Sequence, residues 1–399
     1  MRPSALTRKL LRDLWRLRGQ ALAIAAVVAG GVATWVISFS TIDSLETTQR
    51  AFYRDYRFTE VFASVTRAPD RVAERVAALP GVRAVDARVG GQARLRVAGF
   101  DDPVTARLVS LPERGEPRLN RLYLRSGRLP EPGRDDEIVI SEPFADAHDI
   151  RPGQRIEARL EATIQGRRRT LEVVGVGLSP EFVYQIQPGA LFPDFERYAI
   201  AWMREPALAA AWNMEGAFND LVVELAPGVA PERVIPALDR LLAPYGGTGA
   251  YARDNQISHE YLTQEIKGLR ASALIVPVLF LGVAAFLLHV VTGRTVQQQR
   301  DQIAVLKAFG HDDRVVGLHY LLLVGLMVLL GALPGLALGA WAGHGMAELY
   351  SEFFRFPFLA YRLSPATALG GIAVALLAAV VGAALAVRRA VALPPAEAM

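Results

Sequence analysis

The sequence predicts an α-helical membrane protein: four transmembrane helices, with a large α+β extracytoplasmic domain between spans one and two. Three observations predict it. The 399 residues are 52% hydrophobic and only 21% charged, a balance unusual for a soluble chain of this length. The apolar excess is gathered into four blocks nearly free of ionisable side chains. Basic residues flank those blocks unevenly, which fixes how the chain is threaded.

Gln20 to Ile42 contains no ionisable residue, and neither does Ser364 to Val387. Ala271 to Thr292 carries only His289, and Val315 to Trp341 only His319. Each block covers a hydrocarbon core of about 30 Å at about 1.5 Å per residue. A charged Asp, Lys or Arg at the centre of a span costs about 2.5–3.5 kcal/mol. The expected spans are therefore 20–42, 271–293, 315–343 and 364–387. The first is no cleavable signal: it outruns a signal core, and no Ala-x-Ala site follows it.

Residues 1–19 carry Arg2, Arg8, Lys9, Arg12, Arg16 and Arg18, with Leu6, Leu10, Leu14 and Leu17 on one helical face. This basic amphipathic segment is expected to lie on an anionic leaflet and to turn inward at Gly19. Arg294, Arg300, Lys307 and Arg314 lie between the second and third spans, and Arg388 and Arg389 follow the fourth. The connection 344–363 holds only Arg355 and Arg362, beside Glu348 and Glu352. The positive-inside rule then places 1–19, the loop 294–314 and the tail 388–399 in the cytoplasm, and 43–270 and 344–363 outside.

Within 43–270, strands are expected at Arg57–Thr66, Val82–Val89, Glu137–Ile140, Arg155–Thr163, Thr170–Val176, Phe218–Leu225 and Thr248–Arg253. Helices are expected at Pro69–Leu79 and Pro231–Leu242, each with a proline at its start. A smaller β-rich insert should occupy about 100–180. Residues 254–270 read as a stalk helix running into the second span, since only Gly268 interrupts their pattern.

Several chemistries are absent. There is no cysteine, hence no disulfide or thiolate site. The only lysines are Lys9, Lys267 and Lys307, and none follows a glycine, so no Walker A loop can form. No G-x-S-x-G, H-E-x-x-H or G-x-G-x-x-G occurs. His289 and His319 read as packing histidines, because no span carries a carboxylate at matching depth. Asp135-Asp136-Glu137 lacks calcium-loop spacing and reads as a solvated turn. Gly166-Arg167-Arg168-Arg169 reads as a hairpin tip, with no aromatic stripe to suggest nucleic-acid binding. The chain is expected to be no enzyme and to need no cofactor or metal.

Two features carry a mechanism. Gly331, Gly335, Gly339 and Gly343 recur every four residues on the third span, a face for close helix packing. Pro334 and Pro277 are expected to kink their spans. In the cytoplasmic loop, Ile303, Leu306 and Phe309 form an apolar ridge, flanked by Arg300, Asp301, Gln302 and Lys307 and stopped by Gly310. Such a short helix is unstable alone in water and must dock on lipid or protein.

The run from Arg300 to Gly310 resembles the cytoplasmic loop of FtsX-like/MacB-type ABC transporter permeases, with their pattern R-x-x-I-x-x-L-K-A-x-G. Leu393-Pro394-Pro395-Ala396-Glu397-Ala398 is similar to their P-x-E-A ending. The order of one span, a large domain and three spans is theirs too. The resemblance implies a permease subunit, working as a homodimer or pseudo-dimer in a bacterial inner membrane with a separate cytoplasmic ABC ATPase. It implies Arg300, Ile303, Leu306, Lys307, Phe309 and Gly310 as ATPase contacts. It also implies that ATP-driven motion reaches the outer domain, for export or extraction of a lipid, lipoprotein, peptide or drug, with a further partner in the periplasm. MacB itself carries a fused ATPase and some relatives a second permease module, so this chain is expected to be a half-length form or the front of a longer one. The alternative is a non-transporting signal transmitter or sensor regulating a periplasmic or cell-wall enzyme.

Overall fold

A computed structural model describes residues 5–160, 168–308, 310 and 312–391. Phe309, residues 166–167 of the expected hairpin tip and the Leu393–Ala398 ending lie outside the described residues. The chain opens with α1 (Ala5–Arg16) and α2 (Arg18–Asp55), then β1 (Val61–Pro69), α3 (Arg71–Ala77), β2 (Val82–Arg88) and β3 (Gly90–Arg96). It continues through β4 (Val104–Leu111), β5 (Tyr123–Gly127), β6 (Glu137–Ser141), α4 (Glu142–Ala147), β7 (Arg155–Leu160) and β8 (Arg168–Leu178). Next come β9 (Tyr198–Arg204), α5 (Glu205–Trp212), β10 (Ala217–Leu225), α6 (Pro231–Leu242) and β11 (Tyr251–Ala252). Four helices close the chain: α7 (Ile257–Gln298), α8 (Arg300–Ala308), α9 (Asp313–Phe353) and α10 (Pro365–Val391). They divide into two compact units, residues 1–46, 266–350 and 360–399 in one, and 47–265 with 351–359 in the other.

Among the described residues, four helices (α2, α7, α9 and α10) are long and apolar enough to cross a membrane. Two outrun their expected limits, α2 continuing to Asp55 and α9 to Phe353, while α7 begins at Ile257 and runs unbroken into its span, as the stalk reading of 254–270 expects. Hydropathy marks where a helix is apolar, and these extensions are polar helix. Pro277 and Pro334 sit inside unbroken helices. The unit's core is built from Val28, Val32 and Val36 of α2, Leu281 and Leu288 of α7, Val324, Met327 and Val328 of α9, and Ala375 and Ala379 of α10. Leu333, Trp341, Leu377 and Val381 are exposed, as lipid-facing side chains should be.

In lipid, apolar side chains gain little by meeting each other, so close backbone approach matters more. The α9 glycines lie against α2. A Cβ on Gly331 would sit 2.3 Å from the Ala25 carbonyl oxygen, and one on Gly335 2.8 Å from that of Ala29. On Gly339 it would sit 2.7 Å from Val36 Cβ, and on Gly343 2.6 Å from Ser40 Oγ. Gly382 brings α10 against α7 in the same way, 2.3 Å from the Ala285 carbonyl oxygen. Trp35 Nε1 of α2 donates to the Thr367 carbonyl of α10 at 3.1 Å.

The large domain holds two sheets. The first is antiparallel, in the order β11-β1-β10-β2. Val72 and Val76 of α3, and Val234, Leu238 and Leu242 of α6, share its core with Val61, Phe218 and Leu221. The second runs β6-β9-β4-β3-β7-β8, and β8 pairs back onto β6, so six strands close into a ring with β5 added along β8. Closure pairs the six ring strands on both sides, while β5 is paired only along β8. The β4–β9 and β6–β8 pairs are parallel, the rest antiparallel.

The expected β-rich insert at 100–180 is thus too narrow, since its sheet runs from Gly90 to Arg204. β9, YAIAWMR, is buried along its whole length, so it shows no alternation to read. The strand expected from Arg57 starts at Val61, after a turn in which Arg57 has φ 51°. The one expected at Thr248–Arg253 shrinks to Tyr251–Ala252. Arg168 and Arg169 belong to β8 rather than to a tip.

A buried ionic cluster joins the two sheets. Arg88, at the end of β2, donates from Nη1 to Glu181 Oε2 at 2.7 Å and from Nη2 to Oε1 at 3.1 Å. Glu181 follows β8 of the other sheet. Arg88 Nη2 also lies 2.7 Å from Asp220 of β10, and Asn120 Nδ2 donates to Glu181 at 2.9 Å. Burial alone would raise the Glu181 carboxyl; the Arg88 guanidinium outweighs it by charge and hydrogen bonds and holds it below its ordinary value. That stabilisation is present at neutral pH and is lost as pH falls below the ordinary glutamate range of about 4.3. Glu181→Gln should therefore flatten the acid limb of a stability–pH curve for the full chain. Arg88→Met, which leaves a buried carboxylate unpaired, should cost about 3–5 kcal/mol at neutral pH by thermal unfolding.

Candidate functional site

The candidate site is built around α8, nine residues long. The chain leaves α7 at Gln298, passes Gln299, and restarts as a helix at Arg300. Gly310 ends the segment with φ 85°, a left-handed conformation that a side chain would strain, and its N–H donates to the Lys307 carbonyl at 2.9 Å. The Asp312 carbonyl then accepts from Val315 and Val316, and Lys307 Nζ meets Asp313 at 2.8 Å, bracing α8 to the start of α9.

A helix this short holds its shape only by docking. Ile303 and Ala304 are each 3% exposed. Ile303 lies in one core with Val296, Val316 and Tyr320, against which pack Leu10 and Leu14 of α1 and Leu17 just after it. The opposite face carries Asp301 and Gln302, with Val305 53% exposed. Of the residues predicted from sequence to meet a partner, Arg300 and Gly310 are exposed, Lys307 is half-buried, and Ile303 points into its own membrane unit. For Leu306 only the backbone is described, and Phe309 lies outside the described residues. Among the described side chains of α8, the exposed apolar one is Val305, beside the predicted ridge. Gly331, Gly335, Gly339 and Gly343 lie apart from α8, along the α9 face that meets α2.

Beneath α8 sits a polar cluster that sequence reading missed. Gln299 Oε1 accepts from Tyr320 Oη at 2.9 Å and from Lys9 Nζ at 3.1 Å. Lys9 Nζ reaches Asp13 Oδ2 at 2.5 Å, and His319 Nε2 lies 3.4 Å from the same oxygen. Asp13, Gln299, His319 and Tyr320 are all buried. The carboxylate facing His319 comes from α1 rather than from a span, which is why the spans alone showed none. α1 itself lays Leu10 and Leu14 on the membrane unit's core rather than only on lipid, with Leu11 and Trp15 exposed. Its turn into α2 falls at Leu17, two residues before the expected Gly19. A single acid at i+4 from Lys9 in an otherwise basic helix was the available signal.

Two family models match the chain. The FtsX-like permease C-terminal model covers residues 274–395, and the MacB-like periplasmic core domain covers 19–241. The chain belongs to the FtsX-like/MacB ABC permease family. Its large domain is of the MacB-like periplasmic type, and the permease family is not itself an enzyme family. Among solved structures, the permease is similar to the extracellular domain of the noncanonic ABC-type transporter YknZ from Gram-positive bacteria. That match has 13% identity and TM-score 0.32, and covers 49% of this chain and 98% of that one. The periplasmic region of MacB from Actinobacillus actinomycetemcomitans matches at 11% identity and TM-score 0.33, over 54% of this chain and 95% of that one. A domain of a putative permease protein from Porphyromonas gingivalis matches at 15% identity and TM-score 0.30, over 50% and 91%. No curated protein matches the permease.

Gln299 Oε1 is an acceptor shared by Lys9 of α1 and Tyr320 of α9. Gln299→Leu leaves the Tyr320 hydroxyl buried without that partner, which costs about 1–3 kcal/mol. Hydrogen exchange of the permease should then show faster exchange across α1 while the spans keep their protection.

Proposed function

We propose that this permease couples ATP hydrolysis by a separate cytoplasmic ABC ATPase to movement of its outer domain, in a bacterial inner membrane. The observation that carries the reading is the two-faced α8: Ile303 and Ala304 anchored inward, Asp301, Gln302 and Val305 presented outward. A helix fixed to the spans on one face and open on the other is a handle. Partner contact falls on Val305, Asp301 and Gln302, with Arg300 and Lys307 at the margins. Positive charge at Arg294, Arg300, Lys307 and Arg314 supports a cytoplasmic position for this loop.

Movement has three covalent routes into the outer domain. The domain includes the polar ends of α2 (47–55) and α7 (257–265), and the segment 351–359 that follows α9. That segment is held firmly there. Arg355 N–H donates to the Val183 carbonyl at 3.1 Å, its guanidinium meets Asp146 at 2.9 Å, and Arg125 donates to the Pro357 carbonyl at 3.1 Å. Phe354 and Phe356 are buried. Segments anchored this way transmit displacement of their spans. The work proposed is export or extraction of a lipid, lipoprotein, peptide or drug by a homodimer or pseudo-dimer of such modules, with a periplasmic partner.

Val305→Asp places a charge on the outward face without touching the buried one. It should abolish co-purification of the ATPase, or lower permease-stimulated ATP hydrolysis at least tenfold, while membrane insertion and thermal stability stay unchanged. Wild-type coupling in that variant would remove the reading.

A further inference from the structure

Three spans of the membrane unit leave a cavity between them at their outer ends. Ile42 and Asp43 of α2, Arg270 and Leu274 of α7, and Thr367 of α10 help to line it. All five belong to the same compact unit. The cavity volume is about 450 Å³, enough for a small ligand or a headgroup. It falls where hydropathy places the edge of the hydrocarbon: Ile42 ends the first apolar block, Arg270 precedes the second, and Ser364 opens the fourth. A ligand held there has water at one end and lipid at the other.

The lining divides by chemistry. Ile42 and Leu274 supply apolar surface, and Leu274 is 52% exposed, so the cavity is bounded on one side by a lipid-facing residue. Asp43 is half-buried and makes no hydrogen bond or ion pair among the described residues. Arg270 is exposed and pairs with Glu46, which also lines the cavity. A guanidinium carries more N–H donors than one carboxylate takes up. Ser364 Oγ accepts from the Thr367 N–H at 3.1 Å, capping α10, whose N-terminal end adds partial positive charge to the lining. Charge of both signs is therefore present. A ligand with a single charge would meet repulsion from one group or the other. A zwitterion satisfies both, and an ionisable residue this close to the hydrocarbon is costly unless it finds such a partner.

We propose that this cavity seats the headgroup of a bilayer phospholipid bearing both an ammonium and a phosphate, as phosphatidylethanolamine does. The ammonium donates to the Asp43 carboxylate. The phosphate lies toward Arg270 and the start of α10, which suit its oxygens. The upper part of the acyl chains rests on Ile42 and Leu274. Bilayer lipid is the occupant because the cavity sits at the headgroup level with an apolar residue exposed beside it. The site depends neither on the α8 contact nor on any cargo, so its failure leaves the proposed coupling intact.

The test is native mass spectrometry of the full-length protein in uncharged detergent. Phosphatidylethanolamine and phosphatidylglycerol with identical acyl chains are added in equal amounts. Retention of the ethanolamine lipid should exceed that of the glycerol lipid by about tenfold, the value of one charge-assisted hydrogen bond. Asp43→Asn should remove that preference, while the protein without added lipid melts at the wild-type temperature. Asp43→Glu, which keeps the carboxylate, should retain most of it. Leu274→Trp alters an exposed position at which an interfacial aromatic is tolerated; by narrowing the mouth it should lower retention of both lipids. Equal retention of the two lipids by wild type would mean annular lipid only and overturns the proposal. So does an unchanged preference in Asp43→Asn, or a lower melting temperature of that variant without lipid, which would make Asp43 a structural group.

Discussion

Gln299 and the buried groups around it hold together the part of the membrane unit on which function is proposed to depend. One side-chain oxygen ties the joint between α7 and α8 to Tyr320 of α9 and to Lys9 of α1. Polar groups sealed in a low-dielectric interior must find partners, and once paired they fix geometry that apolar packing alone leaves adjustable. Two spans and the amphipathic helix that continues into a third therefore meet at one residue. The joint beside α8 is thus tied to α1, which leads into α2, as well as to α7 and α9.

The close approach of α9 to α2 extends that connection along the bilayer. Gly331 to Gly343 bring the two backbones to a separation at which a single methyl group would collide. Helices seated this tightly move together, because interfaces at native packing density switch between discrete arrangements rather than deform. The outer domain shows the same economy. Its two sheets are joined by a buried arginine serving two carboxylates, Glu181 and Asp220, from different parts of the fold. Breaking that joint by removing one partner is costly, which keeps the domain a single body.

The membrane helices were legible because hydrocarbon imposes a crude and unambiguous composition. The polar extensions of α2 and α9 were not, because they obey helix propensity rather than hydropathy, whereas that of α7 showed as a stalk with only Gly268 to interrupt it. The strand β10 announced itself by a short apolar run and the helix α6 by Pro231 at its start. β9 did not, because a strand buried on both faces has no period to detect. The α8 segment was recognisable as an amphipathic helix, but not which side faced home. Ile303 and Val305 are two residues apart on a helix and therefore point in very different directions. The sequence offered both as apolar, and only the packing of Ile303 against α1 and α9 separates them. The cluster at Gln299 joins residues about 290 positions apart, beyond any local pattern.

The claim that α1 and α8 form one rigid element is directly measurable. The chain has no cysteine, so Trp15→Cys and Asp312→Cys, at the end of the α8 segment, can carry a spin-label pair on two exposed positions outside the proposed ATPase contact. Pulsed electron resonance of the labelled permease in nanodiscs, with its ATPase and with or without ATP, should give one narrow distance that does not change with nucleotide. A distance that broadens or shifts on ATP binding would show α8 moving independently of α1, and would contradict the account.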